Sequence, residues 1–221
     1  LVKHYGWRVR LLAAALSAAA GYVDAVGFLM TGGLFVSFMS GNSTRMAVGL
    51  AGGASNAGLA AGLILAFVLG AAAGSFIGRV AKANRALTIL TFVALLLALA
   101  ALLSRWGLGL LAFLPIALAM GAENTVFAEE GEVRIGLTYM TGTLVKLGKH
   151  ITAALMGGPP LDWLPYLLLW FGLVCGAVLG ANIYAHVGAA ALWGGAGAMA
   201  VLAVIASRLR LDLEPRAEAG V

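Results

Sequence analysis

Charge is what this sequence has least of. Of its 221 residues only 10% are Asp, Glu, Lys or Arg, while 62% are hydrophobic and the mean hydropathy is +1.00. That balance excludes an ordinary soluble domain and points to an integral membrane protein. Cysteine is nearly absent too: Cys175 is the single one, so no internal disulfide can form, and its setting in WFGLVCGAVLG predicts core packing. The sequence also lacks a GxSxG elbow, a Walker loop, an HExxH pair and paired-cysteine metal motifs. Enzyme chemistry, a metal site and a cofactor therefore have no positive support. The net charge of +5 could suit nucleic acid, but the basic residues stand in short clusters beside apolar segments, which suits lipid head groups better.

What is present is a series of eight apolar segments, approximately 11–30, 34–51, 57–77, 86–103, 108–128, 135–156, 163–185 and 189–206. Gly, Pro or charge separates them, and the tail 209–221 reads as a solvated end. Because apolar segments recur to Ala206, the first is expected to be a retained helix, not a cleaved leader. The chain also repeats at an offset of about a hundred residues. GYVDAV from Gly21 matches GAENTV from Gly121, MSGNSTRM from Met39 matches MTGTLVKL from Met140, and Gly70, Gly74 and Gly78 match Gly172, Gly176 and Gly180. Three landmarks in the same order predict two membrane repeats, 1–105 and 106–208.

Basic residues choose between eight spans and six. If all eight segments cross from a cytoplasmic N-terminus, seven Lys or Arg lie inside and four outside. If the second and sixth segments dip in and return, Lys3, Arg8, Arg10, Arg79, Lys82, Arg85, Arg134, Arg208, Arg210 and Arg216 lie inside and Arg105 alone outside. The second arrangement obeys the positive-inside bias. The expected fold is thus an all-α membrane protein of six transmembrane helices plus two re-entrant half-helix segments, with both termini cytoplasmic. An odd number of spans per half makes the repeat inverted. Continuous tilted spans with a polar stripe are the alternative.

In the re-entrant reading, residues 33–39 form an irregular lead-in and a half-helix runs from about Asn42 to Leu50; its mate approaches near Thr138 and starts near Thr143. Ser40 and Asn42, and in the other half Thr141 and Thr143, are good N-cap types. Two helix N-termini near mid-membrane make an anion-friendly place. Ser40, Gly41, Asn42, Arg45, Thr141, Gly142, Thr143 and Lys146 are the candidate substrate-binding residues, with Arg45 and Lys146 binding charge. Acids inside spans cost about 2.5 to 3.5 kcal/mol on insertion scales, so they are normally paired or functional. Asp24 with Arg45, and Glu123 beside Asn124 with Lys146, are the expected pairs, and the acids are candidates for coupling a proton.

Other features are weaker. His150 could titrate near neutral pH but shows no carboxylate partner; His186 reads as interfacial, and neither belongs to a metal-ligand set. The glycine rows, the first lengthened by Gly58 and Gly62, allow close helix approach; internal packing is favoured and homodimer contact stays open. Trp7, Trp106, Trp163 and Trp193 read as interfacial anchors, Trp170 as packing or a cavity wall. Glu129, Glu130 and Glu132 read as a solvated turn.

The stretch SAAAGYVDAVGFLMTGGLFVSFMSGNSTRMAVGL resembles the start of the YoaK-type bacterial inner-membrane proteins, a domain of unknown function. Gly21, Asp24, Ala25, Met39, Ser40, Gly41 and Asn42 carry the likeness, which extends over almost the whole chain. It implies a six-helix-class protein of the bacterial inner membrane and a transporter by general expectation, with no substrate or catalytic residues attached. Asn124 in the acid's column and Thr143 in that of Asn42 make any two-fold site asymmetric. Together these readings favour a small-solute transporter or channel for a small anion or carboxylate, its partners being the lipid bilayer and that solute. A neutral polar solute, or a non-transporting scaffold with structural ion pairs, are the alternatives.

Overall fold

The computed structural model describes residues 6–52, 56–129, 132–133 and 135–209. Lys3, Gly53, Glu130, Arg134 and the tail from Arg210 lie outside them. Eight α-helices follow one another: α1 Trp7–Met30, α2 Met39–Gly52, α3 Ala57–Ala81, α4 Arg85–Arg105, α5 Gly109–Glu123, α6 Met140–Leu155, α7 Leu164–Val187 and α8 Leu192–Arg208. Each predicted apolar segment holds one helix. A two-residue antiparallel ladder, β1 Ala128–Glu129 with β2 Glu132–Val133, closes the turn after α5.

Among the described residues, four stretches are long and apolar enough to cross a bilayer: Trp7–Met30, Ala57–Ala81, Arg85–Arg105 and the joined run Leu164–Arg208, which contains α7 and α8. The apolar α5 is shorter. At 1.5 Å per residue, α2, α5 and α6 with 14, 15 and 16 residues reach only about 21, 23 and 24 Å, less than the ~30 Å hydrocarbon core.

Glycine decides how these helices meet. α1 lies along α7 and α5 along α3, so the first helix of each half is seated on the third helix of the other. A Cβ added at Gly176 would collide with the Ala18 carbonyl, at Gly21 with that of Leu173, at Gly70 with that of Leu118, and at Gly121 with that of Phe67. Backbone touches backbone at both crossings, as small residues permit where helices pack in lipid. α4 packs on α5 and α8; Ile89, Leu90, Val93 and Leu97 of α4 and Leu192 and Met199 of α8 are all buried. Gly58 and Gly62 have nothing within 4 Å and take no part in these crossings.

One expectation fails on α7. Cys175 is exposed, not packed in the core. Gly172, Gly176 and Gly180 all turn toward α1, so the residue before Gly176, rotated by about 100°, points outward. α7 is apolar on every side, and hydropathy alone could not say which side is buried.

Between α1 and α2 the chain is irregular and doubles back. Gly32 and Gly33 take φ of 68° and 117°, values that a residue with a Cβ rarely adopts. The returning strand passes α1 so closely that Val36 occupies the space a Cβ on Gly27 would need. Ser37 reaches the level of Asp24, six residues before the end of α1, which places the start of α2 about 9 Å inward from that end.

Gly176→Ala should lower stability by about 1 to 3 kcal/mol through overpacking against α1, whereas Gly62→Ala should be neutral or gain up to about 1 kcal/mol from helix propensity. Denaturation of the purified variants in detergent measures both, and equal effects would contradict the α1–α7 contact.

Candidate functional site

The stretch Gly32–Ser37 has few backbone partners of its own, and side chains take their place. Leu34 N–H donates to Thr31 Oγ1 at 3.0 Å, and the Thr31 hydroxyl donates to Leu34 O at 2.7 Å. Asn42 brackets Phe35: its Oδ1 accepts from Phe35 N at 2.9 Å and its Nδ2 donates to Phe35 O at 2.6 Å. Asp24 Oδ1 accepts three bonds, from Val36 N at 3.0 Å, Ser37 N at 2.7 Å and the Ser37 hydroxyl at 2.9 Å. With Leu34, Val36 and Ser37 all buried, these bonds replace water.

The other half repeats the device with an amide. Asn124 Oδ1 accepts from Thr138 N at 3.4 Å and from the Thr138 hydroxyl at 3.1 Å, while its Nδ2 donates to Met120 O. Ser17 of α1 reinforces this strand, its hydroxyl lying 3.0 Å from both the Leu137 and Leu169 carbonyls. Ser37 and Thr138 thus hold equivalent places just before α2 and α6. Neither was among the predicted site residues, although SFMSGN and TYMTGT align when the repeat is extended two residues upstream.

Both expected ion pairs are absent. Asp24 is engaged by amides and a hydroxyl, and Arg45 is exposed, its guanidinium 5.9 Å from the Phe28 ring and 5.8 Å from the Phe35 ring. Lys146 is exposed on α6, whereas Glu123 is 0% exposed and neither of its carboxylate oxygens has a hydrogen-bond partner. The reason is one of register: Asn124, not Glu123, stands in the column of Asp24, so Glu123 points into packed core. The expected N-caps also differ. Both helices start three residues earlier than predicted, at Met39 and Met140, so Ser40, Asn42, Thr141 and Thr143 fall inside them. Asn42 folds back onto Phe35, and Thr143 donates to the Tyr139 carbonyl at 3.1 Å.

The starts of α2 and α6 nevertheless share a cavity of about 350 Å³, walled by Ser37, Phe38 and Ser40 from one side and Thr138, Tyr139 and Thr141 from the other. Phe67 of α3 and Gly142 complete it. Of the predicted substrate residues, Ser40, Thr141 and Gly142 line this space; Gly41, Asn42, Arg45, Thr143 and Lys146 do not. Gly41 instead packs on the Phe35 ring. α6 receives no side-chain cap; backbone bonding opens at Gly41 in α2, and in α6 Met140 N donates to Thr138 O and the next bond is from Thr143 N. The amides of Ser40, Thr141 and Gly142 are therefore first-turn donors without a carbonyl partner.

A second cavity, of about 250 Å³, lies on the far side of the 35–38 strand, between α1 and α7. Asp24 lines it together with Phe28, Phe35 and Phe38, and Phe38 borders both cavities. Elsewhere, His150 stacks on Tyr166 with ring centroids 5.0 Å apart, and His186 Nδ1 is 2.8 Å from Asn182 O. No group of three or more metal-ligating side chains occurs among the described residues.

The comparisons agree with the resemblance read from the sequence. A family described as "Protein of unknown function (DUF1275)", to which the YoaK-type proteins belong, matches residues 12–205. A UPF0700 transmembrane protein of Rhizobium meliloti is 39% identical over 183 residues, covering 82% of this chain and 79% of that protein. No solved structure matches. With its apolar helices, the chain is a multi-pass membrane protein.

Asp24→Ala should cost at least about 2 kcal/mol, since it strips the acceptor from two buried amides and a hydroxyl. Asp24→Asn should stay within about 1 kcal/mol, because an amide oxygen performs the same task at Asn124. Replacing the unpartnered acid in Glu123→Met should raise stability by about 1 to 3 kcal/mol. Unfolding midpoints in detergent test all three, and a loss of stability on Glu123→Met would mean that the carboxyl has a partner after all.

Proposed function

We propose, for a chain that belongs to the DUF1275 family, that it moves a small solute across the bacterial inner membrane through the cavity shared by α2 and α6. In this reading six helices span, α2 and α6 enter and leave on one side each, and the two halves are inverted relative to one another. Two facts support it: the chain doubles back along α1 before α2 begins, and the first helix of each half packs on the third of the other.

The observation that carries the reading is the 350 Å³ cavity walled by the first turns of both helices. Two sets of free amides and the hydroxyls of Ser40, Thr138, Tyr139 and Thr141 converge there, with helix dipoles adding positive potential. That favours a small anion or carboxylate, held by amides and hydroxyls, without the guanidinium and ammonium groups that the sequence suggested. The absence of any basic side chain from the lining favours a second reading, a neutral polar solute passing a hydrogen-bonding constriction.

Flux into proteoliposomes of chloride, formate and acetate, beside glycerol and urea, separates the two. Anion flux is expected to fall about fivefold for each of Ser40→Ala and Thr141→Val, as the loss of one hydrogen bond of about 1 kcal/mol implies, and to persist in Lys146→Gln. Flux of the neutral solutes alone would select the second reading, and no flux of any of them would leave a scaffold. Topology is tested independently in a Cys175→Ser background, where single cysteines at Gly52 and Gly158 should label from opposite sides of the membrane. Labelling from one side would refute the inversion.

A further inference from the structure

The geometry points to a binding site for a methylated ammonium ion in the cavity between α1 and α7, with Asp24 as its counter-charge. This site is separate from the one between α2 and α6 and does not depend on transport. Asp24 is 5% exposed, and its three hydrogen bonds all end on Oδ1. Oδ2 accepts nothing from the described residues, yet it is not sealed into protein as the Glu123 oxygens are. Asp24 lines the 250 Å³ cavity. No basic side chain lines that cavity, and Arg45, the cation expected to neutralise Asp24, lies outside it.

The walls select the kind of cation. Phe28, Phe35 and Phe38 contribute aromatic surface, Leu173 and Ala177 of α7 contribute aliphatic surface, and Asp24 is the sole charged group. An alkali or alkaline-earth ion needs a shell of several oxygens, and one free carboxylate oxygen does not make one. A primary ammonium brings three donors that each need an acceptor, and burying the unmatched ones is costly. A tertiary ammonium brings one N–H, which Oδ2 can accept, and a quaternary ammonium brings none. Their methyl groups suit phenyl and aliphatic walls, and their charge is attracted both to ring faces and to the carboxylate. The volume equals about eight water-sized groups, which suits a small methylated amine. Arg45 shows that Phe28 and Phe35 already attract a cation, at 5.9 and 5.8 Å. Leu29, which also lines the cavity, is 42% exposed.

Calorimetric titration of the purified full-length protein in nanodiscs with tetramethylammonium chloride and trimethylammonium chloride tests the assignment, with sodium and ammonium chlorides as comparisons. Saturable binding of the methylated ions is expected, with sodium failing to compete at equal concentration. Asp24→Asn, which keeps the Oδ1 acceptor and hence the fold, should abolish it, and Phe38→Leu should weaken it about tenfold. Ala177→Leu, which fills the cavity from α7 and leaves Asp24 and its hydrogen bonds untouched, should abolish it as well. The assignment is overturned by the absence of saturable binding to the wild-type protein, by unchanged binding in folded Asp24→Asn or Ala177→Leu, or by sodium competing as well as tetramethylammonium.

Discussion

Everything functional in this protein depends on keeping a few residues of non-helical backbone inside an apolar bundle. A helix satisfies its own amides and carbonyls, but Gly32–Ser37 and the strand before α6 do not, and water is not available in their surroundings to do so. Thr31, Asn42 and Asp24 supply the missing partners in the first half, and Asn124 and Ser17 do so in the second. The polar residues of an otherwise oily sequence are thus accounted for mainly by backbone, before any solute is considered. Only after that role is filled do Ser40, Thr141 and the free amides beside them remain as groups with something to offer a guest.

The glycines make the second condition. Residues from both lead-ins, Ser37 and Phe38 and Thr138 and Tyr139, wall one cavity with the starts of α2 and α6, and those starts are fixed by Asp24 on α1 and Asn124 after α5. Those two anchors hold their relative position because α1 is pressed on α7, and α5 on α3, with carbonyls at glycine Cα atoms. Wider crossings would move each anchor away from the helix pair that carries it. Close packing and the cavity are therefore linked: the two halves clasp each other, and the space at the helix starts is what the clasp leaves open.

Much of this was legible in the sequence. Apolar run length placed all eight helices. The irregular lead-in was legible because Gly32 and Gly33 precede a polar stretch. What failed were judgements about direction. Arg45 was expected to meet Asp24 because a buried charge usually finds an opposite one, but Asp24 found amides closer at hand and Arg45 found aromatic rings. Glu123 was taken as the acid of the second half because it is charged, although Asn124 occupies the equivalent column. Cys175 was assigned to the core because α7 is apolar all round and its sequence marks no inner side. In each case periodicity gave the depth of a residue along its helix and left undetermined the neighbour it would meet.

The departure from symmetry at Asp24 and Asn124 is the most informative of these. Both oxygens accept from a main-chain amide and from a hydroxyl at a similar separation along the chain, Ser37 13 residues after Asp24 and Thr138 14 residues after Asn124. As an anchor, an amide suffices, and the second half shows it. A carboxylate in the first half therefore exceeds what the anchor requires, and a buried negative charge is disfavoured unless something compensates it. Oδ1 is compensated by its three donors; Oδ2 accepts nothing from the described residues, and Asp24 lines the cavity. The charge is best understood through its second oxygen, which distinguishes the two halves chemically while the first keeps them mechanically alike.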